Sequence, residues 1–298
     1  MYDDIRNNKI KTGIIVGIFM IMIGLIIYSI CYLFELQEFS IIIASIVAII
    51  STIATYYNCD KVVLRSVKAR KATKEEDLRL TNILEGLMIS SGLEHKPELY
   101  VIDSAQPNAF ATGRDPEHSV ICVTKGLIEK LEYYELEAVV AHELAHIRNY
   151  DIRLSAVISV MAGFVVILSD IFMRSFIIPS RRDNDDDNSS ANLILAGIGL
   201  ILLIISPIVS SLIQLAVSRR REYLADATAV SFTRNPEGLV NALIKINSDD
   251  SKLDVASKSN AYMYIENPYP KKRSKSVSNL FSTHPTIEER VNAIKNLK

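Results

Sequence analysis

Two histidines four residues apart give the clearest chemical pattern in this chain, within His142-Glu143-Leu144-Ala145-His146. On a helix of 3.6 residues per turn, positions i and i+4 lie about 40° apart, so both imidazoles face one side. They can bind one metal ion together, with Glu143 held beside it as a general base. The alternative is a pair of surface histidines on an ordinary amphipathic helix. A metal site therefore needs support from further ligands elsewhere in the sequence.

Cysteine does not supply those ligands. The chain has 3 cysteines, without a CxxC pair, at Cys31, Cys59 and Cys122. This usage excludes a thiolate zinc site and fits a reducing compartment. The metzincin class would extend the motif with a glycine and a third histidine, but Asn149 and Ile152 stand at those places. A ligand from another element is required.

A glutamate on a second helix is the other common third ligand to zinc. Glu222 and Asp226 are four residues apart and share one helical face. We expect Glu222 to complete a site for one Zn²⁺ per chain. Asp226 is expected to accept the N–H of a ligating histidine and so fix its tautomer. The alternative for Glu222 is a surface ion pair with Arg219 or Arg221.

Long apolar runs fill much of the 298 residues. Residues 12–34, 39–59 and 193–217 lack Asp, Glu, Lys and Arg, and each exceeds the roughly 20 residues that cross a bilayer as a helix. Residues 154–173 are a fourth candidate that includes Asp170, which is tolerable near a membrane end. A buried hairpin inside a soluble domain is the alternative for these runs. The first run is too long for a cleavable signal peptide.

Basic residues predict the orientation of the first hairpin. Arg6, Lys9 and Lys11 precede the first run, the turn at 35–38 has no Lys or Arg, and residues 60–74 are rich in both. The positive-inside rule therefore places both ends of this hairpin in the cytosol. The net charge is −1 and there is no basic stripe, so a nucleic-acid partner is not expected.

Sequence periodicity predicts several helices and a small sheet in the charged parts of the chain. The predicted helices cover residues 75–92, 135–149, 219–233, 236–247 and 286–297, and the predicted strands cover Glu98–Ile102 and Ser119–Thr124. Asn108–Gly113, which follows Pro107, is expected to be an edge strand. Residues 249–282 are rich in Ser and Lys and lack a clear periodicity.

Together these motifs resemble the HtpX family of membrane-embedded zinc metalloproteases, gluzincins related to the CAAX prenyl proteases. The resemblance covers nearly the whole chain and is carried by Asn108–Gly113, Ala138–His146 with Asp151, Glu222–Asp226, and His284-Pro285-Thr286 with Arg290. It implies an α+β fold, with four membrane spans, a mainly helical zincin-like metalloprotease domain and a small sheet.

The resemblance also implies a function. The chain would be a zinc-dependent endopeptidase of the cell membrane that cleaves misfolded membrane proteins at the cytosolic face under stress. Glu143 would deprotonate the zinc-bound water and later protonate the leaving amine. Extended substrate would pair with the edge strand, at Asn108, Ala109, Phe110, Ala111 and Thr112. His284 either stabilises the oxyanion or caps the last helix.

The implied domain plan has four parts. Residues 1–59 form the tail and first hairpin, 60–150 the first part of the protease domain, 151–217 the second hairpin, and 218–298 the rest of the protease domain. Asp151 and Arg290 are expected to support the site rather than react. Trimming of lipid-modified peptides, as in the prenyl-protease branch, and a membrane scaffold or sensor with a structural zinc stay open as alternatives. The expected partners are polypeptide substrates and the lipid bilayer, while the oligomeric state is left open.

Overall fold

The computed structural model of the chain describes residues 2–33, 40–177, 219–251, 253–257, 259–268 and 285–297. The helices are α1 Tyr2–Leu33, α2 Ser40–Ser66, α3 Lys74–Ser91, α4 Lys125–Lys130, α5 Tyr133–Arg148, α6 Asp151–Ile177, α7 Arg219–Thr233, α8 Pro236–Asn247 and α9 Ile287–Lys295. The strands are β1 Arg70–Lys71, β2 Glu98–Ile102, β3 Ala109–Gly113 and β4 Ser119–Thr124. The predicted mainly helical architecture with a small sheet is confirmed.

The first two helices form the predicted apolar hairpin. Arg6–Tyr28 and Ile41–Ser66 are long and apolar enough to cross a membrane, with 23 and 26 residues. Large apolar side chains such as Ile14, Ile21 and Ile50 are exposed along them, as contact with hydrocarbon requires. Helix α2 kinks at Asn58 (φ −121°, ψ 15°) and continues past the predicted boundary at residue 59 to Ser66.

The second predicted hairpin is described in part. The backbone of α6 is helical through the whole of the candidate span 154–173. The candidate span 193–217 lies outside the described residues, and four spans therefore stay a prediction.

The sheet has the order β1-β2-β4-β3, so β3 is an edge strand as predicted. Strands β2 and β4 are parallel, while β1 and β3 each run antiparallel to their neighbour. All six residues of β4 are buried, because the sheet is covered on both faces there. The predicted bounds of β2 and β4 are confirmed.

Helix α5 lies at the centre of the part of the chain outside the apolar hairpin, among the sheet and the remaining helices. It packs against β3 and β4 on one side and against α7 and α8 on the other, and Leu136, Val139 and Leu144 are fully buried. Local signals set the ends of the surrounding helices. Thr73 begins α3 with a capping box and Gly92 (φ 67°) ends it, where only glycine adopts the left-handed conformation without strain.

Candidate metal centre

Helices α5 and α7 bring His142, His146 and Glu222 together. The Nε2 atoms of the two histidines are 3.2 Å apart. Glu222 Oε2 lies 3.7 Å from His142 Nε2, and Glu222 Oε1 lies 3.6 Å from His146 Nε2. A tetrahedral zinc ion with bonds of about 2.0–2.1 Å places its ligand atoms roughly 3.3 Å apart. The three side chains therefore form a triangle of the size that such an ion requires.

A carboxylate lies beside the other nitrogen of each imidazole. Asp226 Oδ1 is 3.0 Å from His142 Nδ1, and Asp151 Oδ2 is 3.0 Å from His146 Nδ1. These carboxylates accept the Nδ1 protons, so both Nε2 lone pairs point into the same space. At 3.2 Å, either a proton on one Nε2 or a metal ion between the two nitrogens satisfies both of them. The donor set thus fits a divalent metal ion.

Arg290 holds Asp226 in place from helix α9. The guanidinium is fully buried and donates from Nε to Asp226 Oδ2 (2.9 Å) and from Nη2 to Oδ1 (2.6 Å). Burial by itself would raise the pKa of Asp226, but the charge of Arg290 and hydrogen bonds with His142 and Arg290 outweigh it and keep that pKa below its usual value. Asp226 therefore stays an anion beside His142.

Asn8, near the start of α1, contacts the carboxylate on the other side of the centre. Its side-chain amide donates to Asp151 Oδ1 (2.7 Å) and to the carbonyl oxygen of Asn149 (3.1 Å). Sequence reasoning missed this residue. One polar side chain ahead of an apolar run carries no local signal of a contact more than a hundred residues away.

Glu143 lies on the same helix as the two histidines and is buried. Burial raises its pKa, the positive charge of protonated His142 and His146 opposes the rise, and the net shift is upward. Burial lowers the pKa of His142, but hydrogen bonds with Asp226 and Glu222 outweigh it and raise that pKa to about 9. A metal ion at this centre must therefore displace a proton from His142.

A cavity of about 40 Å³ opens beside this cluster, lined by Glu143, by Ala111 of β3 and by residues 262–265 among others. That volume holds at least one water molecule. The cavity thus places space for a small reactant between the carboxylate of Glu143 and the free edge of β3.

The free edge of β3 is partly paired within the chain. The Ile265 N–H donates to the Ala109 carbonyl (2.9 Å), and the Asn108 side chain donates to the Glu266 carbonyl (2.9 Å). The Asn108 carbonyl faces β4, where it accepts from the Thr124 N–H (2.9 Å). Because backbone groups alternate along an antiparallel pair, Ala111 and Gly113 present theirs to the free side. The start of the predicted substrate segment, Asn108 and Ala109, is therefore already paired.

Among the described residues, the two histidines outside α5 do not join the cluster. His95 and His118 are exposed, and His118 Nδ1 lies 2.7 Å from Asp115 Oδ1. His284, the predicted oxyanion stabiliser, lies outside the described residues.

Two histidines with a glutamate between them on one helix, and a second glutamate on a packed neighbour, define a metallopeptidase centre of the HExxH class. The model of peptidase family M48 matches residues 74–298, and the chain belongs to that family. It is thus a metallopeptidase, and two of its helices are long and apolar enough to cross a membrane.

Curated relatives agree over the full length. A protein described as "Protease HtpX homolog" from Dictyoglomus thermophilum is 43% identical over 294 residues, covering 99% of this chain and 94% of that protein. One with the same description from Caldanaerobacter subterraneus is 41% identical over 300 residues, covering 100% and 98%. The crystal structure of S. mikatae Ste24p aligns with 99% of this chain and 67% of its own at 20% identity and a TM-score of 0.48. Family membership follows from the curated relatives and the family model.

Proposed function

We propose that the chain is a zinc-dependent endopeptidase that cleaves membrane proteins, misfolded ones above all, at the cytosolic face of the plasma membrane. The observation that carries this proposal is the triangle of His142, His146 and Glu222 beside the buried Glu143. Such a centre at the base of an apolar helical hairpin supports proteolysis close to a bilayer. The stress-related quality-control role rests on the family resemblance.

Zinc is the proposed metal, one ion per chain, held by His142, His146 and Glu222. Two imidazole nitrogens and one carboxylate oxygen suit it and leave a position open. When bound, Zn²⁺ supplies a Lewis acid that polarises a peptide carbonyl and lowers the pKa of coordinated water to around 7.

The protein's own groups would handle the protons. Glu143 takes a proton as general base and delivers it to the departing amine. Its raised pKa brings it nearer to neutral pH, which helps it both to accept and to release that proton. Asp226 and Asp151 keep the imidazoles oriented. His284 is proposed as the oxyanion stabiliser, with a helix-capping role as the alternative.

Substrate would bind as an added strand on β3. Of the proposed segment Asn108–Thr112, Ala111 both lines the cavity and presents its N–H and carbonyl to the free side. We therefore place the central backbone pairing of the substrate at Ala111, with Gly113 next along the edge.

The proposed membrane plan keeps four spans and the division at residues 59, 150 and 217. Helix α6 begins at Asp151, five residues after His146, so the centre lies close to the start of the third proposed span. The basic residues that flank the first hairpin support a cytosolic position for this side. Proximity to the bilayer favours substrates that are themselves membrane proteins.

Substitution of Glu143 tests this function. The full chain in detergent should cleave a model membrane protein, and Glu143→Gln should retain zinc yet lose essentially all turnover. Glu137→Gln is the matched control, because Glu137 is a half-buried carboxylate on the same helix that does not line the cavity. Equal cleavage by the parent and Glu143→Gln, with zinc bound in both, would overturn the assignment and favour the scaffold with a structural zinc.

A further inference from the structure

The two candidate ligand histidines are supported from different parts of the molecule. His142 is held by Asp226, which Arg290 of the C-terminal helix α9 fixes in turn. His146 is held by Asp151, and the neutral donor to Asp151 comes from α1, the first candidate membrane span. The orientation of His142 therefore depends on the C-terminal helix α9, whereas that of His146 depends on α1 of the apolar hairpin.

The contact from α1 is short and shielded from water. Asn8 is 4% exposed and Asp151 is 5% exposed. Asp151 uses Oδ2 for His146 Nδ1 at 3.0 Å and Oδ1 for the Asn8 amide at 2.7 Å. Among the described residues, the Arg221 guanidinium also lies near Oδ1, but its Nη1 is farther away at 3.7 Å. Loss of the Asn8 amide would remove the short hydrogen bond that fixes how this carboxylate is rotated against the imidazole.

Asn8 also supports the turn that separates α5 from α6. Its amide donates to the Asn149 carbonyl at the end of α5, where carbonyls lack partners in the helix itself. The next residue, Tyr150, has a φ of 61°, a left-handed conformation that is strained for an L-residue. The Lys9 ammonium lies 4.4 Å from the Tyr150 ring centroid. Two neighbouring residues of α1 thus hold the turn that begins three residues after His146.

We propose that Asn8 is a positioning residue of the metal centre. The position of helix α1 against the α5–α6 turn then influences the metal affinity through Asp151 and His146. The inference rests on the proposed function, since it requires His146 to be a ligand. Outer hydrogen-bond partners of ligating histidines typically change metal affinity or activity by about 10- to 100-fold when they are removed. The same range is expected here.

The test uses the full chain in detergent, with Zn²⁺ affinity measured by chelator competition and with kcat and KM measured on one model substrate. Asn8→Ala is expected to weaken zinc binding about 10- to 100-fold and to lower kcat more than it raises KM. Asn8→Asp, which keeps the shape but replaces the donor with a second carboxylate, is expected to lose at least as much. Asn7→Ala is the matched control, because Asn7 is the exposed neighbour on the same helix.

Asn8→Leu keeps the side-chain volume without the donor and gives the same readout if Asn8→Ala does not fold. A lower thermal midpoint with unchanged zinc affinity and unchanged kcat per zinc-loaded molecule would overturn the proposal, because Asn8 would then only pack. His146→Ala separates this failure from failure of the proposed function. If His146→Ala binds zinc as tightly as the parent, His146 is not a ligand and the proposed function fails. If His146→Ala loses zinc binding while Asn8→Ala keeps the affinity of the parent, only the role of Asn8 is refuted.

Discussion

Arg290 and Asp226 form a buried two-pronged ion pair, with Nε 2.9 Å and Nη2 2.6 Å from the two carboxylate oxygens. The same guanidinium donates from Nη1 to the carbonyl of Ile265 at 2.9 Å. Ile265 in turn pairs with Ala109 of β3. The Arg290 side chain therefore connects the carboxylate beside His142 to the segment that pairs with β3.

Replacement of Arg290 should damage both stability and metal binding. Arg290→Met leaves the buried Asp226 carboxylate without its countercharge, a change that typically costs about 3–5 kcal/mol. We expect a large fall in the thermal midpoint in detergent and weaker zinc binding. Arg290→Lys keeps the charge but loses the two-pronged geometry. Its thermal midpoint and zinc affinity should lie between those of the parent and those of Arg290→Met. A midpoint for Arg290→Met equal to that of the parent would contradict the importance of this pair.

Substrate pairing at Ala111 predicts a selective kinetic defect. Ala111→Pro removes the N–H that faces the free side, while the bonds between β3 and β4 stay intact because an edge strand tolerates proline there. The loss of one backbone hydrogen bond to substrate should lower kcat/KM about tenfold, or ~1.4 kcal/mol, mainly through KM. Zinc content and thermal midpoint serve as internal controls. Unchanged KM with a folded, zinc-loaded variant would move the substrate away from this edge.

Zinc binding should release protons at neutral pH. The pKa of His142 in the metal-free protein is about 9, so this imidazole is protonated at pH 7 and must become neutral to bind a metal. Affinity should therefore rise with pH up to about 9 and then level off. Titration calorimetry in buffers of different ionisation enthalpy measures the proton count. An affinity that does not change between pH 6 and 9 would contradict the prediction.

Removal of the metal should destabilise the folded chain. A zinc ion that binds the folded protein but not the unfolded one raises the free energy of unfolding. The increase is about 2.7 kcal/mol when the free ion is at 100 times its dissociation constant. A chelator should therefore lower the thermal midpoint of the parent, and re-addition of zinc should restore it. His142→Ala should show little response to the chelator, and an equal response in both proteins would place the ion elsewhere.

The junction between the hairpin and the sheet predicts a separate acid-sensitive step. Arg70 donates to Glu76 at 2.8 and 2.9 Å and to Asp103 at 2.7 and 2.9 Å. The hydrogen bond from Arg70 lowers the pKa of Glu76 to about 2, below its ordinary value of 4.5. A lowered folded-state pKa stabilises the protein above about pH 4.5, and this contribution is lost as the pH falls towards 2.

Arg70→Gln should therefore destabilise the protein at pH 7, by at most about 1 kcal/mol because the guanidinium is partly exposed. The difference in the free energy of unfolding between Arg70→Gln and the parent should shrink as the pH is lowered from 5 to 3. Lys71→Gln is the control, since its ion pair with Glu98 is long (3.6 Å) and exposed. Thermal melts of both proteins across that pH range measure this difference. A difference in thermal midpoint that does not change with pH would show that the ion pair is not the cause.

Much of the fold could be predicted because its signals are local. Strands β2 and β4 and helices α7 and α8 have the predicted bounds, since alternation, helical periodicity and caps such as Asn235 before Pro236 act within a few residues. The predicted start of α5 at residue 135 was two residues late, because Glu132 and Glu135 form a capping box that begins the helix at Tyr133.

The sequence alone determined which side chains share a face of one element: His142 with His146 on α5, and Glu222 with Asp226 on α7. Helical geometry fixes these relations whatever the rest of the chain does. Only the tertiary structure decided that Asn8 reaches Asp151, that Arg290 reaches Asp226 and that residues 265–266 occupy the start of the β3 edge. Such contacts depend on how helices pack and where loops cross the sheet, and no local pattern in the chain encodes which distant partner a polar side chain will meet.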